Sequence, residues 1–138
     1  MRARRRLIAL VGVLGGAFNP PHVGHLLLAQ EARWQLGLDR VLLMVTGEAP
    51  HKRIEPEPGA GVRLEMARLA AESGESVEAS ALEVEGEGPS YTYRTLERLA
   101  EEGPGDERVL LMGADNAATL GGWRRPERVV ELARLGIV

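Results

Sequence analysis

Gly15-Gly16-Ala17-Phe18-Asn19-Pro20-Pro21-His22-Val23-Gly24-His25 stands between two unlike patterns. The apolar run Leu7 to Leu14 leads into it and reads as a buried strand; Val23 to Leu36 leads out and carries helical spacing. The expected order is strand, glycine turn, helix start. That geometry aims backbone N–H groups and the positive end of a helix dipole at one point, which suits a phosphate. Gly15 and Gly16 lack a Cβ and let an anion approach the backbone closely. Pro20 and Pro21 fix φ just before the helix without removing a needed donor. His22 and His25 are three residues apart, so both imidazoles fall on one helix face.

Outward from this stretch, strand and helix patterns alternate. Val41-Leu42-Leu43-Met44-Val45 is a continuous apolar run of the kind covered on both faces. Thr46 to Gly61 reads as a loop carrying Pro50-His51-Lys52. A helix follows, with Val62, Met66, Leu69 and Ala70 as its inner face and Gly74 as its stop. Val77 to Glu85 alternates weakly and reads as a short strand. Its run Glu83, Glu85, Glu87 is better explained as a solvated acidic edge than as a metal site. After Gly88-Pro89, Ser90 or Thr92 is expected to cap a helix whose inner face is Leu96, Leu99 and Ala100. Val109 to Met112 is another buried strand. Pro126 opens a last helix facing inward through Val129, Val130, Leu132 and Ala133, with Gly136 as its stop and Ile137-Val138 as the beginning of a strand. The expected fold is α/β, a doubly wound, Rossmann-like parallel sheet with helices on both faces, in one domain spanning 1–138.

Composition narrows the function. The chain is 44% hydrophobic and 27% charged, with net charge -3, so no general basic field attracts nucleic acid. Cysteine is absent, which removes disulfides, thiolate nucleophiles and Cys-ligated zinc, and fits a cytoplasmic protein. Arg2, Arg4, Arg5 and Arg6 before Leu7 to Leu14 imitate a signal peptide, but the apolar run is too short to span a membrane and is read as a strand. Neither G-x-G-x-x-G after the first strand nor G-x-x-x-x-G-K-[ST] occurs. A metal pair at His22 and His25 lacks a third ligand in zinc spacing.

His22-Val23-Gly24-His25 after Gly-Gly-x-Phe-x-Pro resembles the H-x-G-H nucleotidyltransferases. Pro50-His51-Lys52, Gly88-Pro89-Ser90-Tyr91-Thr92, and Gly113-Ala114-Asp115 with Trp123 narrow the resemblance to the bacterial nicotinate-nucleotide adenylyltransferase family of NAD biosynthesis. The four segments occur in order over nearly the whole chain. The resemblance implies adenylyl transfer from ATP, accompanied by Mg²⁺, to nicotinate mononucleotide. It implies His22, His25 and Lys52 as catalytic residues. Gly15, Gly16, Ala17, Phe18, Asn19, Gly24, Gly113 and Asp115 would serve ATP, with adenine packed near Gly24 and the ribose near Asp115. Tyr91, Thr92, Trp123 and Arg124 would serve the nicotinate nucleotide. On residue type alone, Tyr91 and Thr92 fit a packed ring and helix cap equally well, and Trp123 fits a core position. No protein metal ligand, nucleic-acid partner or membrane partner is expected; a homo-oligomer is compatible.

Two departures qualify the resemblance. Ala17 and Asn19 stand where the family commonly has Thr or Ser and Asp. The family also continues past the last strand with an Arg-Pro-Gly turn and an Ile-Ser-x-Thr-x-x-Arg segment, and this chain stops at Val138 before either. The expectation is an incomplete family member or a fragment, binding nucleotide weakly and turning over little or not at all. Another acceptor, such as nicotinamide mononucleotide or phosphopantetheine, and a nucleotide-binding module without turnover are the alternatives.

Overall fold

The structure, a computed structural model, describes residues 8–138. Leu7 and the arginines before it lie outside the described residues. Five strands, β1 (Leu10–Gly16), β2 (Arg40–Val45), β3 (Val77–Ser80), β4 (Glu107–Met112) and β5 (Arg134–Ile137), form one sheet in the order β3-β2-β1-β4-β5. Every neighbouring pair is parallel. The chain winds outward from β1 through β2 to β3, then returns to β1's other side for β4 and β5. The switch in winding direction lies between β1 and β4, the place where such sheets leave a crevice at their carboxyl ends.

Alternation along the strands sorts the core into two layers. Leu14 of β1 and Val41, Leu43 and Val45 of β2 pack against α1 (Val23–Leu36) and α2 (Ala60–Ala71), which contribute Ala29, Ala32, Leu64, Ala67 and Ala71. Val11, Val13, Leu42 and Met44 face the other way, toward Tyr93 and Leu96 of α3 (Thr92–Glu102) and Val129 of α5 (Pro126–Leu132). Burial on both faces is why these strands read as unbroken apolar runs. The doubly wound α/β expectation holds.

Several local expectations are corrected. Gly15 and Gly16 do not form the turn. They are the last residues of β1, paired with Met44 and Val45 of β2, and the chain reverses after them, with Phe18 in the left-handed region at φ 52°. In α2 the inner face is Arg63, Leu64, Ala67 and Ala71, while Val62 and Leu69 are exposed. The strand expected over Val77 to Glu85 ends at Ser80. The N-cap of α3 is Tyr91, without a side-chain cap, because the Ser90 hydroxyl accepts from the Gly47 N–H instead. Gly136 does not stop α5. It lies buried in β5 opposite Leu111, where a Cβ would come within 2.8 Å of the Leu111 side chain. Val130 points outward, 52% exposed. A short helix, α4 (Ala114–Ala118), and a 3-10 turn over Leu120–Gly122 occupy a region where no element was expected.

Candidate active site

The start of α1 is built from two imidazoles. His22 is the N-cap, and its Nδ1 accepts from the Gly24 N–H at 3.1 Å. The His22 N–H in turn donates to Nδ1 of His25 at 3.0 Å. This is a reciprocal capping box, with histidine in both positions more often held by Ser/Thr and Glu/Gln. The rings stack at 3.8 Å between centroids, and His25 meets Phe18 edge-on at 4.8 Å. Because each Nδ1 accepts a backbone proton, each neutral ring carries its own proton on Nε2. Burial, and then the neighbouring His22, hold the His25 pKa below the usual histidine value. The pair therefore offers two neutral N–H donors beside the positive end of a helix whose first turn holds no acidic side chain. Gly24 has a local reason: a Cβ there would stand 2.9 Å from the His22 ring and push it out of the cap.

A cleft of about 550 Å³ opens at the carboxyl ends of the strands. Gly15, Gly16 and Ala17 form part of its lining, and a Cβ on Gly15 would project into open space. His51 and Lys52 line it from the β2–α2 loop, Tyr91 and Thr92 from the start of α3, and Trp123 with Thr119 and Asn116 from the segment after β4. The structure thus brings together Gly15, Gly16, Ala17, Lys52, Tyr91, Thr92 and Trp123 from distant parts of the sequence. His22, Gly24 and His25 are not in the lining; they stand on the helix start just beyond Ala17. Phe18 is 2% exposed and supports His25. The Asn19 amide donates to the carbonyl of Pro56, a bond an Asp carboxylate could not make, and so ties the first loop to the second. Gly113 is the N-cap of α4, and Asp115 is exposed in its first turn, outside the lining. Arg124 lies over the Tyr91 ring at 4.4 Å and Arg94 at 5.2 Å, bringing two cations to that end of the cleft. The Trp123 indole N–H donates to the Thr119 hydroxyl at 3.0 Å, which orients its ring. Among the described residues, no three His, Asp or Glu side chains converge as a metal site, and no helix is long and apolar enough to cross a membrane.

Two residues at the site were missed in sequence. Arg63 is fully buried on the inner face of α2. Its only sequence signal is position: Ala67 and Ala71 follow at helical spacing and form a small-residue stripe that leaves room for a long side chain. Glu83, expected to be solvated, is largely buried. It accepts from Thr95 Oγ1 at 2.7 Å and from the Ser90 hydroxyl, and burial, outweighing those bonds, pushes its pKa up to about 7. Its apolar neighbours Leu82 and Val84 were the available signal.

Residues 13–138 match the model of the cytidylyltransferase-like family. The chain belongs to that family. It is 38% identical over 122 residues to the nicotinate-nucleotide adenylyltransferase of Bacillus subtilis (strain 168), covering 88% of this chain and 65% of the relative. It is 43% identical over 130 residues to a Roseiflexus sp. (strain RS-1) protein named "Probable nicotinate-nucleotide adenylyltransferase", covering 94% of this chain and 65% of that one. The chain therefore spans somewhat less than two thirds of the length of these relatives. Among solved structures, Plasmodium falciparum nicotinic acid mononucleotide adenylyltransferase complexed with NaAD superposes with a TM-score of 0.74 at 13% identity, over 94% of this chain and 74% of that one. The same enzyme complexed with APC gives a TM-score of 0.75 at 16% identity, over 94% and 63%. At these identities the superposition establishes the shared fold. In this chain the cleft lies at the carboxyl ends of the strands, and the paired histidines stand at the start of α1, which follows the loop after β1.

Proposed function

We propose that the chain carries the adenylyl-transfer site of a nicotinate-nucleotide adenylyltransferase. The 5′-phosphate oxygen of nicotinate mononucleotide attacks the α-phosphorus of ATP in line. A P–O bond forms, the bond to the β-phosphate oxygen breaks, and pyrophosphate leaves as deamido-NAD is produced. The observation that carries this reading is the pair of Nδ1-capped histidines at the start of α1 beside a cleft open to Gly15 and Gly16. Such chemistry needs alignment and charge neutralisation rather than a covalent nucleophile. His22 and His25 supply neutral donors to the reacting phosphates, and Lys52 supplies a mobile cation. Mg²⁺ would be carried on the phosphates of ATP, where it neutralises charge on the leaving pyrophosphate. Gly113 and Asp115 belong to the adenosine side of this reading, and Tyr91, Thr92, Trp123 and Arg124 to the pyridine side. The cations Arg124 and Arg94 around Tyr91 favour an acceptor with a carboxylate over its neutral amide.

The test is pyrophosphate release from ATP and Mg²⁺ with nicotinate mononucleotide or nicotinamide mononucleotide as acceptor. The expected outcome is a higher kcat/KM for the acid by at least about 10-fold, because a site built around a polar group rejects the analogue lacking it. Equal values would leave a nucleotidyltransferase of a different acceptor class.

A further inference from the structure

Arg63 makes five hydrogen bonds, one for each N–H of its guanidinium. Nη1 donates to the carbonyls of Ala17 and Thr46, Nη2 to the carbonyl of Gly47 and to Glu57 Oε2, and Nε to Glu57 Oε1 at 2.9 Å. No part of the side chain reaches solvent. Ala17 and Thr46 nevertheless line the cleft. Their carbonyl oxygens are therefore engaged by a cation beneath the cleft instead of facing an anion within it. The same side chain closes the loop that carries Lys52. It holds Thr46 and Gly47 at one end and Glu57 at the other, while its own N–H donates to Gly59 at 3.1 Å and the Gly59 N–H donates to Glu57 at 2.9 Å.

We propose that Arg63 is a positioning residue for the triphosphate. Its fork turns the carbonyls of the first and second loops away from the cleft, and it fixes the loop from which Lys52 reaches in. This inference rests on the adenylyl-transfer reading for its ligand and goes beyond it in assigning the role to a residue that does not touch the cleft. A guanidinium is needed because one planar group must serve three carbonyls and a carboxylate together; an ammonium carries the charge without the fork.

The experiment compares the unsubstituted 138-residue chain with Arg63→Lys and Glu57→Gln, using titration calorimetry with inorganic tripolyphosphate and, separately, with nicotinate mononucleotide. Thermal melts of each variant accompany the titrations. Arg63→Lys is expected to weaken tripolyphosphate on the order of 10-fold or more, while nicotinate mononucleotide changes by less than about 2-fold. Glu57 is exposed and its replacement spares the core, so Glu57→Gln should weaken tripolyphosphate in the same direction by a smaller factor. If Arg63→Lys does not fold, Glu57→Gln decides alone. Equal weakening of both ligands would assign Arg63 a purely structural role and overturn the proposal. Unchanged tripolyphosphate binding in the variants, or none in the unsubstituted chain, would overturn it too. Failure of the adenylyl-transfer reading would show differently: tripolyphosphate binds and responds to Arg63, yet ATP with nicotinate mononucleotide releases no pyrophosphate.

Discussion

His25 carries two duties that one substitution can separate. Its Nδ1 closes the capping box and its Nε2–H is left to face a ligand. His25→Ala would remove both and confuse a lost cap, worth about 1 kcal/mol, with a lost donor. His25→Gln is the cleaner variant, because glutamine is a normal partner at this position of the box and can still accept from the His22 N–H. The expected outcome is a melting temperature close to that of the unsubstituted chain and a kcat lower by roughly 10²- to 10³-fold, the usual cost of deleting a preorganised donor to a reacting oxyanion. A folded His25→Gln variant with unchanged kcat would remove the residue from the chemistry. The His-x-Gly-His pattern was legible in sequence because it is local: three residues of spacing place both rings together. The reason for Gly24 was not legible. It depends on a 2.9 Å approach of the His22 ring, which exists only once the cap has formed.

Among the elements, β2 and α2 hold the site together through their termini. Gly47, just past β2, accepts from Arg63, donates to Ser90, and passes so close to the β3–α3 loop that a Cβ would stand 2.5 Å from the Glu83 carbonyl oxygen. That obstacle is backbone and cannot swing aside. Gly47→Ala is expected to cost about 1–3 kcal/mol and to loosen the cleft, as overpacking does. Gly61, in the first turn of α2 with open space around it, is the internal control: Gly61→Ala should be neutral or stabilise by up to about 1 kcal/mol. Urea unfolding of the two variants is the measurement, and equal effects would contradict the contact. The elements that sequence located well were those decided by their own residues, namely β2, β4 and α1, while β1 was recognised as a strand but runs two residues further, through Gly16. The inner face of α2 was misread because hydrophobicity was taken as the guide to burial. Val62 and Leu69 face solvent while Arg63 is buried, since five hydrogen bonds, three of them to carbonyls distant in sequence, outweigh the cost of removing a cation from water. Short β3 and α4 offered too few residues for a period to show.

At the scale of the molecule, the order β3-β2-β1-β4-β5 makes the carboxyl ends of β1 and β4 the meeting place of loops from every part of the chain. That placement was inferable from alternating strands and helices. The polar chain crossing beneath the cleft, from Glu57 through Arg63, Gly47 and Ser90 to Glu83 and Thr95, was not, because its central links, Arg63 to Gly47 and Gly47 to Ser90, join residues from different parts of the sequence that no local pattern pairs. Its far end gives the whole fold a pH dependence. Burial raises the Glu83 carboxyl from an unfolded value of 4.5 to about 7. A group whose folded pKa is raised contributes stability that is complete below its unfolded pKa and is lost as pH rises through the folded one. Glu83 should therefore withdraw about 3 kcal/mol between roughly pH 4.5 and pH 7 and nothing further above that range. His25 acts in the opposite sense. Its lowered pKa gives stability present above the usual histidine value and lost as pH falls through the folded one, so the raw profile mixes the two. Glu83→Gln isolates the carboxyl: the amide still accepts from Thr95 but has no charge to bury. The stability of Glu83→Gln relative to the unsubstituted chain, from urea unfolding at half-unit steps between pH 4.5 and pH 8.5, should rise with pH and level off just above pH 7. A difference that stays constant across that range would mean that Glu83 ionises in the folded protein as it does in the unfolded chain, and that its burial carries no electrostatic cost.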